Sequence, residues 1–122
     1  MRRWTFACPA IVLLLASVAV ERARSQTPQT PVGMTRTTLL ENARVRVVKI
    51  EVNPGAREAL HRHDYDIVVM QLTPGQVEDA VGDRKTTGFR EAGYTAFVPK
   101  GTMHAGANVG KEAFEIVTVI LK

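Results

Sequence analysis

From Thr35 onward, apolar and polar residues alternate in short runs broken by turn chemistry, the pattern of a chain built from β-strands. Residues 44–52, Arg-Val-Arg-Val-Val-Lys-Ile-Glu-Val, alternate for most of their length as a half-buried strand does, and Asn53-Pro54-Gly55 closes the run. Residues 66–72 form a second apolar run, ended by Thr73-Pro74-Gly75. Residues 76–81 and 85–90 read as a hairpin around Gly82-Asp83, a pair suited to tight turns. Residues 94–98 give another strand, stopped by Pro99-Lys100-Gly101, and residues 114–121 a last one rich in Ile and Val. No amphipathic helix and no internal repeat is visible. Many short strands at regular spacing predict an all-β domain, a sandwich or a small barrel.

The first 25 residues break this pattern. A basic start, Met1-Arg2-Arg3, is followed by an almost wholly apolar run from Ala7 to Val20 and then by Ala23-Arg24-Ser25, a small-x-small tripeptide. That order is the layout of a secretory signal peptide, and the run is short for a membrane span. An uncleaved N-terminal anchor is the alternative, and Glu21 and Arg22 leave the cleavage point open. Residues 26–34 are polar and proline-bearing and read as a linker, which leaves residues 35–122 as one domain. The expected location is secreted or periplasmic.

Export changes the charge balance. The chain carries 16 basic and 12 acidic residues, but residues 1–25 hold Arg2, Arg3, Arg22 and Arg24 against Glu21 alone. The remainder is almost neutral, so nothing in it argues for nucleic acid or a membrane surface. The single cysteine, Cys8, lies in the export segment, so the domain has no disulfide, thiolate ligand or cysteine nucleophile.

The chemistry rests on three histidines. In His61-Arg62-His63, a spacing of two on a strand points both imidazoles to one face, where they can converge on a shared metal ion. Taken alone, this pair is equally compatible with surface or half-buried histidines. The third, His104, follows Pro99-Lys100-Gly101-Thr102-Met103 and precedes Asn108.

The spacing of these residues resembles the two motifs of the cupin superfamily. Gly55, His61, His63 and Gly75 fit the first motif, and Gly93, Pro99, Gly101, His104 and Asn108 fit the second. The resemblance implies a single jelly-roll β-barrel, the double-stranded β-helix, with His61, His63 and His104 as metal ligands. It also shows one departure: where the family pattern has glutamate, this chain has Val68, or Ile67 under the shorter spacing. Asp66 shares strand parity with Val68 and is the candidate fourth donor or catalytic base, with Asp64 a weaker one; the alternative for both is a solvated loop acid. Three imidazoles without a carboxylate leave zinc, iron, nickel or copper as the candidate ions and argue against the two-histidine, one-carboxylate iron pattern.

If Val68 points inward, Met70 and Leu72 do so too, giving an apolar floor to which Phe97 and Met103 add, or simply barrel core. Tyr65 and Tyr94 are candidate hydroxyl donors, and Gly55, Gly75, Gly93 and Gly101 read as turn formers. Two functions follow. One is an exported metal-dependent enzyme, oxygenase-like, acting on a small molecule; the other is a non-catalytic module that binds or senses a small ligand or the metal. Apolar strand faces such as Ile67 and Val69, together with the resemblance, predict a homodimer.

Overall fold

The computed structural model describes residues 32–122, and among them every regular element is a β-strand. The signal peptide read over residues 1–25, with Cys8, and the linker as far as residue 31 lie outside the described residues. The strands are β1 (Met34–Glu41), β2 (Val45–Val52), β3 (His61–Arg62), β4 (Asp66–Gln71), β5 (Gly75–Val81), β6 (Arg84–Arg90), β7 (Thr95–Val98), β8 (Met103–Asn108) and β9 (Phe114–Leu121). The alternation in the sequence places β2, β4, β5, β6, β7 and β9 within a residue or so at each end. Met34, assigned to the linker by its polar neighbours, instead opens β1, pairs with Val52 and is buried.

The strands form two antiparallel sheets, ordered β1-β2-β9-β4-β7 and β3-β8-β5-β6. Leaving β1 aside as an added edge, four strands face four in the jelly-roll order. Among the described residues the two ladders do not close into one continuous hydrogen-bonded barrel, so the architecture is a jelly-roll of two facing sheets. The core is the inner side of both: Met34, Val48, Ile50, Val52, Ala56, Val77 and Phe114, with Ile116 and Ile120 packed against it.

Two glycines shape the frame by different means. Gly101 takes φ of 84° in the turn before β8, a left-handed conformation that strains residues bearing a Cβ. Gly75, expected to form a turn, lacks a positive φ; it starts β5 and lies against the Phe114 ring, which a Cβ there would overlap. Its role is close approach of one sheet to the other.

The parity of β4 also differs from the expectation. Ile67, Val69 and Gln71 face the interior, with Ile67 only 6% exposed, while Met70 and its outward companions Leu72 and Phe97 are exposed. The expected inward floor of Val68, Met70, Leu72, Phe97 and Met103 is therefore absent; none of the five borders the interior space. Ile67 and Val69, expected as outer apolar positions, are part of that interior. The register decides this: Ile67 stands opposite Val98 and Ile120, both inward residues, whereas Val68 stands opposite Phe97 and Val119.

Candidate metal centre

The antiparallel β3–β8 pair brings the histidines together. His61 stands directly opposite His104, and His63, two residues on, shares the face of His61. The segment around them is held by backbone bonds: the His63 amide donates to the Thr102 carbonyl at 3.1 Å, and the Gly101 amide donates to the His63 carbonyl at 2.8 Å. Ring centroids lie 4.7 Å apart for His61 and His63, 5.3 Å for His63 and His104, and 5.7 Å for His61 and His104. One candidate ligand nitrogen from each ring lies within 4.8 Å of the others.

The protonation pattern suits a cation. His61 Nδ1 lies 3.0 Å from the Ala59 carbonyl, which fixes the proton there and leaves Nε2 as the lone-pair nitrogen. His63 Nε2 and His104 Nδ1 are buried and have no hydrogen-bond partner among the described residues. Burial, reinforced by repulsion from His61 and His104, pushes the His63 imidazole down to about 4, so it is neutral near pH 7. Buried polar atoms without partners are costly, and three converging imidazoles with two such nitrogens are the donor set of a zinc, iron, nickel or copper site. The residues present fit a divalent metal ion.

Sequence reasoning missed two carboxylates beside this cluster. Asp79 on β5 puts Oδ1 3.4 Å from His104 Nε2 and pairs through Oδ2 with Arg90. Burial works against its charge but is outweighed by the hydrogen bonds from His104 and Arg90, which hold the carboxyl below its usual range. Glu58, before β3, puts Oε2 4.0 Å from His104 Nδ1 and pairs through Oε1 with Arg36 at 2.5 Å. The signal for Asp79 lay in the alternation Gly75, Val77, Asp79, which sets a carboxylate on an inward face; Glu58 carried no local signal.

Asp66, the candidate base, is not at the site. It does not border the interior cavity, and its Oδ1 accepts the Lys100 amide at 2.7 Å, bracing the turn that leads to His104. Its outward parity with Val68 is the physical reason. Asp64 and Tyr65 do border the cavity at its exposed rim, whereas the Tyr94 ring lies under the Arg90 guanidinium at 4.6 Å and serves packing. Ile67 points inward from the strand that carries the family's glutamate, so that strand offers no carboxylate to the histidines.

The histidines open onto a cavity of about 400 Å³ between the sheets. Its walls are largely apolar, from Ile67, Val69, Val77, Phe114, Ile116 and Ile120, with Arg36, Arg46 and Arg90 among its polar lining. The volume is that of a small-molecule site. Asn108, the last residue of the second motif, is fully buried and structural: Nδ2 donates to the carbonyls of Val52 at 2.9 Å and Glu112 at 2.8 Å, and Oδ1 accepts the Gly110 amide.

Fold and site thus define a jelly-roll protein with a three-histidine cluster at the mouth of an apolar cavity. A cupin domain from Bordetella pertussis Tohama I has the same fold with a TM-score of 0.68, at 26% identity over 77% of this chain and 98% of that one. An RmlC-like cupin from Shewanella frigidimarina NCIMB 400 follows at 0.61, with 24% identity over 73% and 76% of the two chains. The polyketide cyclase RemF from Streptomyces resistomycificus gives 0.66, at 18% identity over 75% and 66%. No protein-family model matches the sequence, and no curated protein does. The chain belongs to the cupin superfamily.

Proposed function

We propose that this chain is an exported cupin that holds one divalent metal ion on His61, His63 and His104 and transforms a small, largely apolar molecule in the cavity behind it. The carrying observation is the convergence of three imidazole nitrogens within 4.8 Å, two of those rings having a buried nitrogen without a partner, beside a cavity of about 400 Å³. Export rests on the order of charge, apolar run and small residues in the first 25 positions.

The bound ion would supply Lewis acidity or, as iron or copper, redox chemistry of the oxygenase kind. The chain's own residues do the rest. Asp79 accepts from His104 Nε2 and fixes the tautomer that presents Nδ1, as the Ala59 carbonyl does for His61. Ile67, Val69, Ile116 and Ile120 take the apolar body of the substrate and exclude water from it. Arg46 borders the cavity from β2, with a long 3.8 Å pairing to Glu41 and a 3.4 Å hydrogen bond to Thr38 Oγ1, and can meet an anionic or enolic oxygen.

A second reading is a binding or sensing module without turnover. It is favoured by the two carboxylates nearest the histidines being ion-paired with arginines, which leaves neither a free base. The structural likeness to a polyketide cyclase, at 18% identity, supports the fold and not a reaction.

The test is elemental analysis of the protein purified from its producing cells, beside His104→Ala, followed by oxygen-uptake assays of the loaded form with small aromatic and enolic compounds. About one equivalent of metal, lost in the variant, supports the centre. Metal bound without any turnover favours the second reading, and no metal in the parent protein overturns the metal centre and leaves a barrel that binds a small ligand without an ion.

A further inference from the structure

We propose that Gln71 selects the ligand from the end of the cavity away from the histidines, its side-chain oxygen accepting a hydrogen bond from a hydroxyl group on the bound molecule. The inference rests on the reading of the cavity as a small-molecule site and names the class it takes. That class is an elongated, apolar molecule with an anionic or enolic oxygen at the histidine end and a hydroxyl at the other.

Gln71 is the last residue of β4 and follows Ile67 and Val69 on its inward face. At about 3.3 Å per residue it lies about 13 Å along the strand from Ile67. The strand register gives the direction. Gln71 stands opposite Ile116, and Ile67 stands opposite Ile120. Phe114, the next inward residue beyond Ile116, lies against Gly75 at the start of β5, whereas His104 stands opposite Val81 at the end of β5. Gln71 and the histidines therefore lie toward opposite ends of the space between the sheets. Ile67, Val69 and Ile120 line the walls on the way from one to the other.

The side chain is polar where its inward neighbours on β4 are aliphatic, and the residue is only 2% exposed. Its backbone is engaged in the sheet: the amide donates to the Tyr94 carbonyl at 2.8 Å, and the carbonyl accepts the Gly93 amide at 2.8 Å. The side chain is engaged on one side alone, where Nε2 donates to the Thr73 carbonyl at 2.9 Å. A carbonyl oxygen only accepts, so this contact settles which end of the amide is nitrogen and leaves Oε1 on the other side. Oε1 accepts no hydrogen bond among the described residues. A buried acceptor without a donor is costly, and leucine or methionine would fill the same space without that cost. The free oxygen is thus suited to a donor carried by the ligand. A hydroxyl fits better than an ammonium group: Glu58 and Asp79 are already paired with Arg36 and Arg90, which leaves a buried cation no counter-charge.

The test is isothermal titration of the protein, its metal content measured beforehand, with two rigid probes: a biphenyl carboxylate and the same acid carrying a hydroxyl at the far para position. The parent protein is expected to bind the hydroxylated probe about 3- to 10-fold more tightly. Gln71→Met keeps the length of the side chain, removes the amide and is expected to bind the two probes alike. In NMR spectra of isotopically labelled parent protein, the Gln71 side-chain amide signals should shift with the hydroxylated probe far more than with the other. That measurement decides the matter should Gln71→Met fail to fold. Equal binding of the two probes by the parent, equal shifts, or a preference that persists in folded Gln71→Met overturns the proposal and leaves the metal centre standing. Binding of neither probe overturns it together with the reading of the cavity as a small-molecule site. A preference for the hydroxylated probe in protein that holds no metal supports Gln71 and overturns the metal centre alone.

Discussion

His61 and His104 stand directly opposite one another across the β3–β8 pair, their rings edge to face with centroids 5.7 Å apart. That register turns a two-residue spacing on one strand into a three-point cluster, because His63 joins the same face from beyond the end of β3. Each ring keeps one nitrogen for the cluster, and the opposite nitrogens of His61 and His104 face a backbone carbonyl and a carboxylate.

Metal binding should therefore be linked to stability. An ion that binds only the folded chain at a hundred times its dissociation constant stabilises it by about 2.7 kcal/mol. Zinc is expected to raise the melting temperature of the parent protein and to leave that of His61→Ala or His104→Ala nearly unchanged. Calorimetric melts with and without zinc check this; an equal shift in the variants would place the ion elsewhere.

Asp79→Asn should keep the fold and weaken the site. Asparagine fills the same space but loses the charge that orients His104 Nε2 and pairs with Arg90. Orienting partners of ligand histidines are worth about 10- to 100-fold in metal affinity. Isothermal titration with zinc measures it, and an unchanged affinity would show that the His104 ring is oriented without Asp79.

Much of this was legible in the chain. Alternation gave the longer strands because one face of each sheet is buried and the other wet, and the glycine, proline and histidine spacing singled out the three histidines that cluster. The strand pairs that bear the site were harder. β3 has two residues, too few for a periodic signal, and the motif spacing allows a slip of one residue, which on a strand exchanges the two faces. That slip separates the inward Ile67 from the outward Val68 and moves Asp66 off the site. Glu58 and Asp79 reach His104 only through the register of β8 with both of its neighbours, a relation between distant segments that no local pattern carries.

Gly75→Ala tests the reading of that glycine as a contact. A Cβ would overlap the Phe114 ring, and both residues are buried where the sheets meet. Overpacking of this kind costs about 1–3 kcal/mol. The expected result is a lower denaturant midpoint, partly restored by the double variant Gly75→Ala with Phe114→Leu; a neutral Gly75→Ala would contradict the close approach.

Asn108 joins the end of β2 to the turn before β9 with three hydrogen bonds while fully buried. Asn108→Ala leaves the Val52 and Glu112 carbonyls and the Gly110 amide without that partner, at about 1–3 kcal/mol for each such group that water cannot reach. A loss of stability with zinc affinity intact is expected in urea unfolding and zinc titration. Lost affinity in a folded variant would give Asn108 a part in the site.

The outer face of the five-stranded sheet carries the expectation of a homodimer. Leu40, Val47, Val119, Val68 and Phe97 lie opposite one another in turn, an apolar row that crosses all five strands, with Phe97 58% exposed. The β1 bulge between Thr38 and Leu40 places Leu40 opposite Val47 and completes the row. An apolar row of this kind is complementary to itself, so a second copy related by a two-fold axis covers it without introducing a buried charge. Light scattering is expected to give a dimer at micromolar concentration, and Val119→Asp, at the centre of the row, to give a folded monomer. A monomeric parent protein would leave this face exposed to solvent and overturn the pairing.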